Sequence, residues 1–114
     1  MEKGKPNVEN ISSQMRKGIL EYCVLNILEH NDAYSSDIIV RLKEAKIIVV
    51  EGTLYPLLTR LKNQGYLSYH WEESSQGPPR KYYNITEDGK LLLIELEITW
   101  NELIAGIGNL KNIK

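Results

Sequence analysis

Glu51-Gly52-Thr53-Leu54-Tyr55-Pro56-Leu57-Leu58-Thr59-Arg60-Leu61-Lys62-Asn63-Gln64-Gly65 is the stretch on which the fold turns. At about 100° per residue, Leu54, Leu57, Leu58 and Leu61 fall in one narrow stripe, whereas Thr53, Pro56, Thr59, Arg60 and Asn63 point the other way. The spacing predicts a helix over 51–64, stopped by Gly65 in the left-handed conformation that glycine adopts without strain. Pro56 lies early enough that little intrahelical bonding is lost, and Val50 ahead of the helix is a poor N-cap. The leucines belong on a core, so the polar and basic outer face is free to meet something polar.

Upstream, Met15, Ile19, Cys23 and Ile27, with Leu20, Val24 and Leu28 beside them, recur at helical spacing and predict a first helix ending near Asn31. Asn31-Asp32 is a turn signal, and Ser35 is the N-cap candidate for a second helix that buries Ile38, Ile39, Leu42 and Ala45. The β-branched run from Lys46 to Val50 reads as a short extended link to the third helix. Met1 to Asn10, with Gly4 and Pro6, has no apolar period and reads as a mobile tail.

Downstream, Tyr66 to Trp71 and Arg80 to Thr86 alternate as strands do, separated by Ser74-Ser75-Gln76-Gly77-Pro78-Pro79. This predicts a hairpin with a long tip. Leu67, Tyr69 and Trp71 share one face of the first strand; in the second, Lys81, Tyr83 and Ile85 oppose Arg80, Tyr82 and Asn84. Trp71, Tyr82 and Tyr83 are expected to pack the hairpin onto the helices rather than to stack single-stranded bases. Thr86, followed by Glu87 and Asp88, is a helix N-terminus. Leu93, Leu96, Trp100, Leu103, Ile107 and Leu110 then recur at three and four residues as a heptad seam, the expected dimer interface. A second stripe, Leu91, Ile94, Ile98 and Ala105, leaves this helix apolar on more sides than so small a domain covers. The predicted fold is α+β, mainly α: a mobile tail (1–10), a winged helix-turn-helix domain (11–86) and an appended C-terminal dimerisation helix (87–114).

A chain of 114 residues, 42% hydrophobic and 25% charged, fits one small domain and leaves little room for most enzyme architectures. The net charge of −1 conceals a segregation: Arg16, Lys17, Arg60, Lys62, Arg80 and Lys81 precede Ile85, whereas Glu87, Asp88, Glu95, Glu97 and Glu102 follow it. The first part suits an anionic partner; the last does not. One cysteine, Cys23, excludes an intrachain disulfide, and with no secretory signal or membrane-length apolar run the expectation is a cytoplasmic protein without membrane contact. His30 and His70 lie on different elements without a cysteine or carboxylate at ligand spacing, so neither a metal site nor a cofactor is expected. No phosphate loop or nucleophile–base pair is present, and no catalytic residue is assigned.

Gly18-Ile19-Leu20-Glu21, Glu51-Gly52-Thr53-Leu54-Tyr55-Pro56-Leu57-Leu58 with Arg60-Leu61 and Gly65-Tyr66-Leu67, Trp71-Glu72-Glu73-Ser74, and Gly77-Pro78-Pro79-Arg80-Lys81-Tyr82-Tyr83 with Thr86 and Gly89 together resemble the PadR family of bacterial transcriptional regulators. The resemblance runs from about Lys17 to Lys90. It implies a dimeric winged-helix repressor that binds a palindromic operator and leaves it on meeting a signal. With one C-terminal helix, the chain is similar to the short branch that includes LmrR-type multidrug sensors. In that branch a tryptophan on the last helix lines a flat apolar pore at the dimer centre, and Trp100 falls at the matching position.

The candidate duplex-DNA contacts are Thr53, Tyr55, Pro56, Thr59 and Arg60 on the third helix, with Lys62 placed for a phosphate. On the hairpin they are Ser75, Gln76, Gly77, Arg80 and Lys81; adjacent cations on a strand face opposite ways, and Lys81 is preferred as the direct contact. Glu72 and Glu73 are expected on a shoulder away from DNA. Trp100, Glu97, Leu96 and Met15 are the candidate contacts for a small aromatic effector. Trp100 has two readings in the sequence: packing of the dimer interface, or two indoles flanking a gap that accepts planar compounds. Two rival functions remain: a winged-helix protein-interaction module without specific DNA binding, and a thiol or metal sensor using Cys23, which otherwise reads as core.

Overall fold

A computed structural model describes residues 8–113. The elements are α1 (Val8–His30), β1 (Ala33–Tyr34), α2 (Ser35–Glu44), α3 (Glu51–Asn63), β2 (Leu67–Ser74), β3 (Gly77–Ile85) and α4 (Glu87–Lys111). The strands form one antiparallel sheet in the order β1-β3-β2. Helices α1, α2 and α3 pack with this sheet around Leu20, Val24, Leu28, Ile38, Leu42, Leu54, Leu58, Leu61 and Leu67, each at most 2% exposed. Tyr83 and Leu93 close the core from the sheet and from α4. This is the winged helix-turn-helix arrangement, with β2 and β3 as the wing. The radius of gyration is 17.1 Å. A compact domain of this length has about 13 Å, so the molecule is elongated, 57 Å along its longest axis.

The third helix forms as its periodicity requires, with all four leucines buried. Gly65 has φ 86°; its N–H donates to the Lys62 carbonyl at 3.0 Å, and that of Tyr66 to the Leu61 carbonyl at 2.9 Å. This pair of bonds is a Schellman cap. The same cap ends α2, but there the left-handed residue is Lys46, φ 64°. Lys46 N–H meets the Lys43 carbonyl at 2.9 Å, and Ile47 N–H meets the Leu42 carbonyl at 2.8 Å. A side chain in this conformation costs about 1 kcal/mol that glycine avoids. Lys46→Gly is therefore expected to raise the unfolding free energy by roughly 0.5–1 kcal/mol in urea titrations.

Several local expectations are corrected. Helix α1 begins at Val8 rather than Met15, so Val8 to Asn10 are helical, favoured by Glu9 at the positive end of the helix dipole; residues 1–7 of the expected tail lie outside the described residues. Met15 is 70% exposed and Leu25 takes the buried place instead. Tyr34, not Ser35, is the N-cap of α2, and its N–H donates to the Asp37 carboxylate at 3.1 Å. Ala45 is an exposed C-cap. The short strand is Ala33–Tyr34, paired with Tyr83 and Tyr82, whereas 46–50 has no strand partner and stays irregular. The wing closes through Ser75-Gln76 alone, with Ser74 opposite Gly77, so its tip is short. Pro78 and Pro79 lie within β3 beyond the residues that pair with β1, and opposite the register shift between Glu72 and Ser74 of β2, where the regular ladder is interrupted.

Thr86 anchors α4. Its hydroxyl accepts from Gly89 N–H at 3.0 Å and donates to the Gly65 carbonyl at 2.7 Å. The seam along α4 divides in two. Leu93 is 4% exposed in the chain's own core, and Leu96 packs on that core, while Leu103, Ile107 and Leu110 remain 52%, 51% and 68% exposed. Leu93 is thus not available to a second copy, because α1 already covers that end of α4.

Candidate nucleic-acid interface

With its leucines buried, α3 turns Gly52, Pro56, Thr59 and Asn63 outward. The flanking positions differ in fate. Tyr55 and Lys62 lean toward the wing, and Thr53 and Arg60 toward α1. Ser35, Tyr55, Thr59, Lys81 and Tyr83 line one cleft between α2, α3 and β3, so the recognition-helix residues and the wing cation share a surface.

The two wing cations diverge as strand alternation demands. Arg80 lies over the Tyr34 ring at 3.8 Å and donates through Nη2 to the Ser36 hydroxyl at 2.9 Å. Lys81 lies on the other face, its Nζ 4.7 Å from the Tyr69 ring and 5.7 Å from the Trp71 ring. Lys62 approaches Tyr69 from α3 at 5.7 Å. Contacts of this kind hold an exposed cation with about 0.5–1 kcal/mol. They orient the charge without cancelling it, and no ion pair to Lys62, Arg80 or Lys81 occurs among the described residues. Glu72 is turned away: its carboxylate meets His70 Nε2 at 3.0 Å. Ser75, Gln76 and Gly77 are at the exposed tip.

Arg60 is placed differently from its expectation as a free groove contact. Its Nη2 pairs with Glu21 Oε1 on α1 at 3.1 Å. A half-exposed pair of this kind contributes roughly 0.2–1 kcal/mol, which a DNA phosphate or base edge can outbid. The fold also adds residues that sequence reasoning missed. Arg16 and Lys17 line a cleft with Thr53 and Val50 at the start of α3, and Ser35 and Ser36 bring the start of α2 beside the wing. Arg16 and Lys17 show in the sequence only as cations of its basic part, in the middle of α1, and Ser35 and Ser36 only as polar residues at the start of α2; the adjacency is tertiary.

Trp100 packs on Tyr22 of α1, ring centroids 6.0 Å apart. With Gly18, Ile19, Leu96, Thr99 and Leu103 it lines a shallow cleft of about 70 Å³. Met15 and Glu97 are exposed and do not line it. Trp71, expected to pack the hairpin, is 60% exposed, because the wing carries it past the footprint of the helices. Tyr83 is buried and Tyr82 half-buried. Cys23 is half-buried, and burial pushes its thiol pKa up, which keeps it protonated and a poor nucleophile. Among the described residues no three metal-ligating side chains converge, and no helix is long and apolar enough to cross a membrane.

A helix presented beside a basic wing, on a three-stranded sheet, defines a winged-helix DNA-binding protein. A sequence profile of the transcriptional regulator PadR-like family matches residues 24–95. A PadR-like transcription factor from Bacteroides fragilis is 60% identical, with 89% of this chain and 98% of that one covered and a TM-score of 0.74. PadR-family regulators from Eggerthella lenta (34% identity, 94% of both chains, TM-score 0.86) and Bacillus cereus (35%, 90% and 100%, 0.77) are also similar. The chain belongs to the PadR-like family of transcriptional regulators, a family of DNA-binding proteins.

Proposed function

We propose that the protein is a cytoplasmic, homodimeric repressor that occupies a palindromic operator and leaves it when a planar aromatic compound binds between the two copies. The observation that carries this reading is the opposition of two surfaces. On one side Tyr55, Thr59 and Lys81 share a cleft with Lys62 close by at Tyr69, and Arg80 adds a cation on the opposite face of the wing strand, none of the three cations paired with a carboxylate among the described residues. On α4 the apolar stripe Leu91, Ile94 and Ile98 and, on another side of the helix, the seam row Leu103, Ile107 and Leu110 are each at least 50% exposed. Such a row on a small protein marks an association surface, and a two-fold axis through it sets two recognition helices against two half-sites. The cleft at Trp100 is well below the ~300 Å³ of an ordinary ligand site, so an effector site of useful size requires the second copy. Leu96 and Trp100 would line it, with Met15 and Glu97 contributing from exposed positions.

Fluorescence anisotropy with DNA from the gene's own upstream region and with random duplex, across a salt series, tests this reading. Three cations per copy predict a slope of about −5 in log affinity against log salt. A strong preference for the upstream site and release by planar aromatic cations support the proposal. Equal affinity for random duplex, or no salt dependence, transfers the reading to a protein-interaction module.

A further inference from the structure

The wing carries an aromatic surface that the reading above leaves unused. Trp71 is 60% exposed although it is one of the largest apolar side chains in the protein. It is not loose: Tyr69 meets it edge to face at 6.0 Å, interplanar angle 89°, and the Lys81 ammonium stands 5.7 Å from its ring. Tyr69 in turn contacts Tyr83 at 5.7 Å, which is buried in the core. The indole is therefore braced from the core outward, and Lys81 also lines the cleft shared with Tyr55 and Thr59 of α3.

We propose that Trp71, Tyr69 and Lys81 form a platform for the sugar-phosphate backbone of duplex DNA, with Trp71 against a deoxyribose and Lys81 on the adjoining phosphate. The proposal rests on the DNA-binding reading and adds a residue and a chemistry to it. An indole covers the apolar face of a sugar, and a cation held at its edge reaches the phosphate one bond further along the backbone. Charge selects the occupant. Lys62 and Lys81 both stand at this surface, the neighbouring Glu72 faces away in its contact with His70, and against the two cations stands the single exposed carboxylate of Glu73 at the register shift two residues beyond Trp71. A second copy meeting this surface through the same face would bring like charges together, whereas a polyanion would not. Backbone contact carries no base information, so the platform raises affinity on all sequences and positions α3 in register.

Fluorine NMR of the fluorotryptophan-labelled native protein reads this directly, because the chain has two tryptophans and the Trp71→Phe protein assigns their signals. On saturation with operator the Trp71 signal is expected to shift and to lose its solvent isotope effect. Trp71→Ala is expected to weaken operator and random duplex alike by roughly tenfold, as loss of one aromatic contact does, while Trp71→Phe retains most of the affinity. A Trp71 signal that stays solvent-exposed in the saturated complex overturns the proposal, as does a signal that becomes protected with protein concentration in the absence of DNA. Failure of the native protein to bind any duplex would instead overturn the underlying reading.

Discussion

Gly89→Ala is expected to destabilise the protein by about 3 kcal/mol, seen as a fall of roughly 12 °C in the thermal midpoint. Gly89 is buried in the first turn of α4. A Cβ there would press into the Tyr66 carbonyl oxygen more closely than real Cβ atoms approach, and would stand 2.7 Å from Ile85 Cγ1. The obstacle is backbone that cannot rotate away. Tyr66 N–H is held by Leu61, its carbonyl accepts from Thr86 N–H at 3.1 Å, and the Thr86 hydroxyl ties Gly65 to Gly89. Relief requires moving α4 off the α3–β2 turn, and Leu93 would lose its burial with it. Gly106 is the control: nothing lies within 4 Å of a Cβ built there, so Gly106→Ala should gain up to about 1 kcal/mol of helix propensity. Calorimetry on both variants checks the pair. Equal stability of Gly89→Ala and the native protein would mean that α4 is not seated this closely.

Ile107→Glu is expected to turn the proposed dimer into monomers at micromolar concentration and to reduce operator affinity at least a hundredfold. Ile107 is 51% exposed in the single chain, on the outer part of α4 where Leu103 and Leu110 are exposed as well. Association would bury that row, and a carboxylate placed among leucines would be desolvated without a partner. Separation of the copies removes the high effective concentration, of order millimolar, at which the second recognition helix meets its half-site. Folding should survive, because the core residues of α1 to α3 do not touch this end of α4. Sedimentation velocity together with anisotropy measures both effects. A variant that sediments as the native protein does would place the association surface elsewhere, with the exposed Leu91, Ile94 and Ile98 stripe the next candidate.

These two expectations draw on different kinds of information. The leucine stripe of α3, the left-handed Gly65 and the Thr86 cap were legible in the chain because each depends on residues within about one helical turn of one another. The charge segregation and the wing alternation were legible for the same reason, and with them the class of partner. Lys46 carries no glycine to announce its left-handed cap; the αL conformation is imposed by the path from α2 into α3. Ala33–Tyr34 is too short to signal a strand and is one only because Tyr82 and Tyr83 lie alongside. Arg60 finds Glu21 thirty-nine positions away, Arg80 finds Tyr34 and Ser36, and Trp71 is carried out past the helices. The heptad spacing on α4 is continuous, yet α1 claims its first part and leaves the rest exposed. Local periodicity specifies which face of an element is apolar, but which neighbour covers that face, and where the cover ends, depends on contacts between distant parts of the chain that exist only once it has folded.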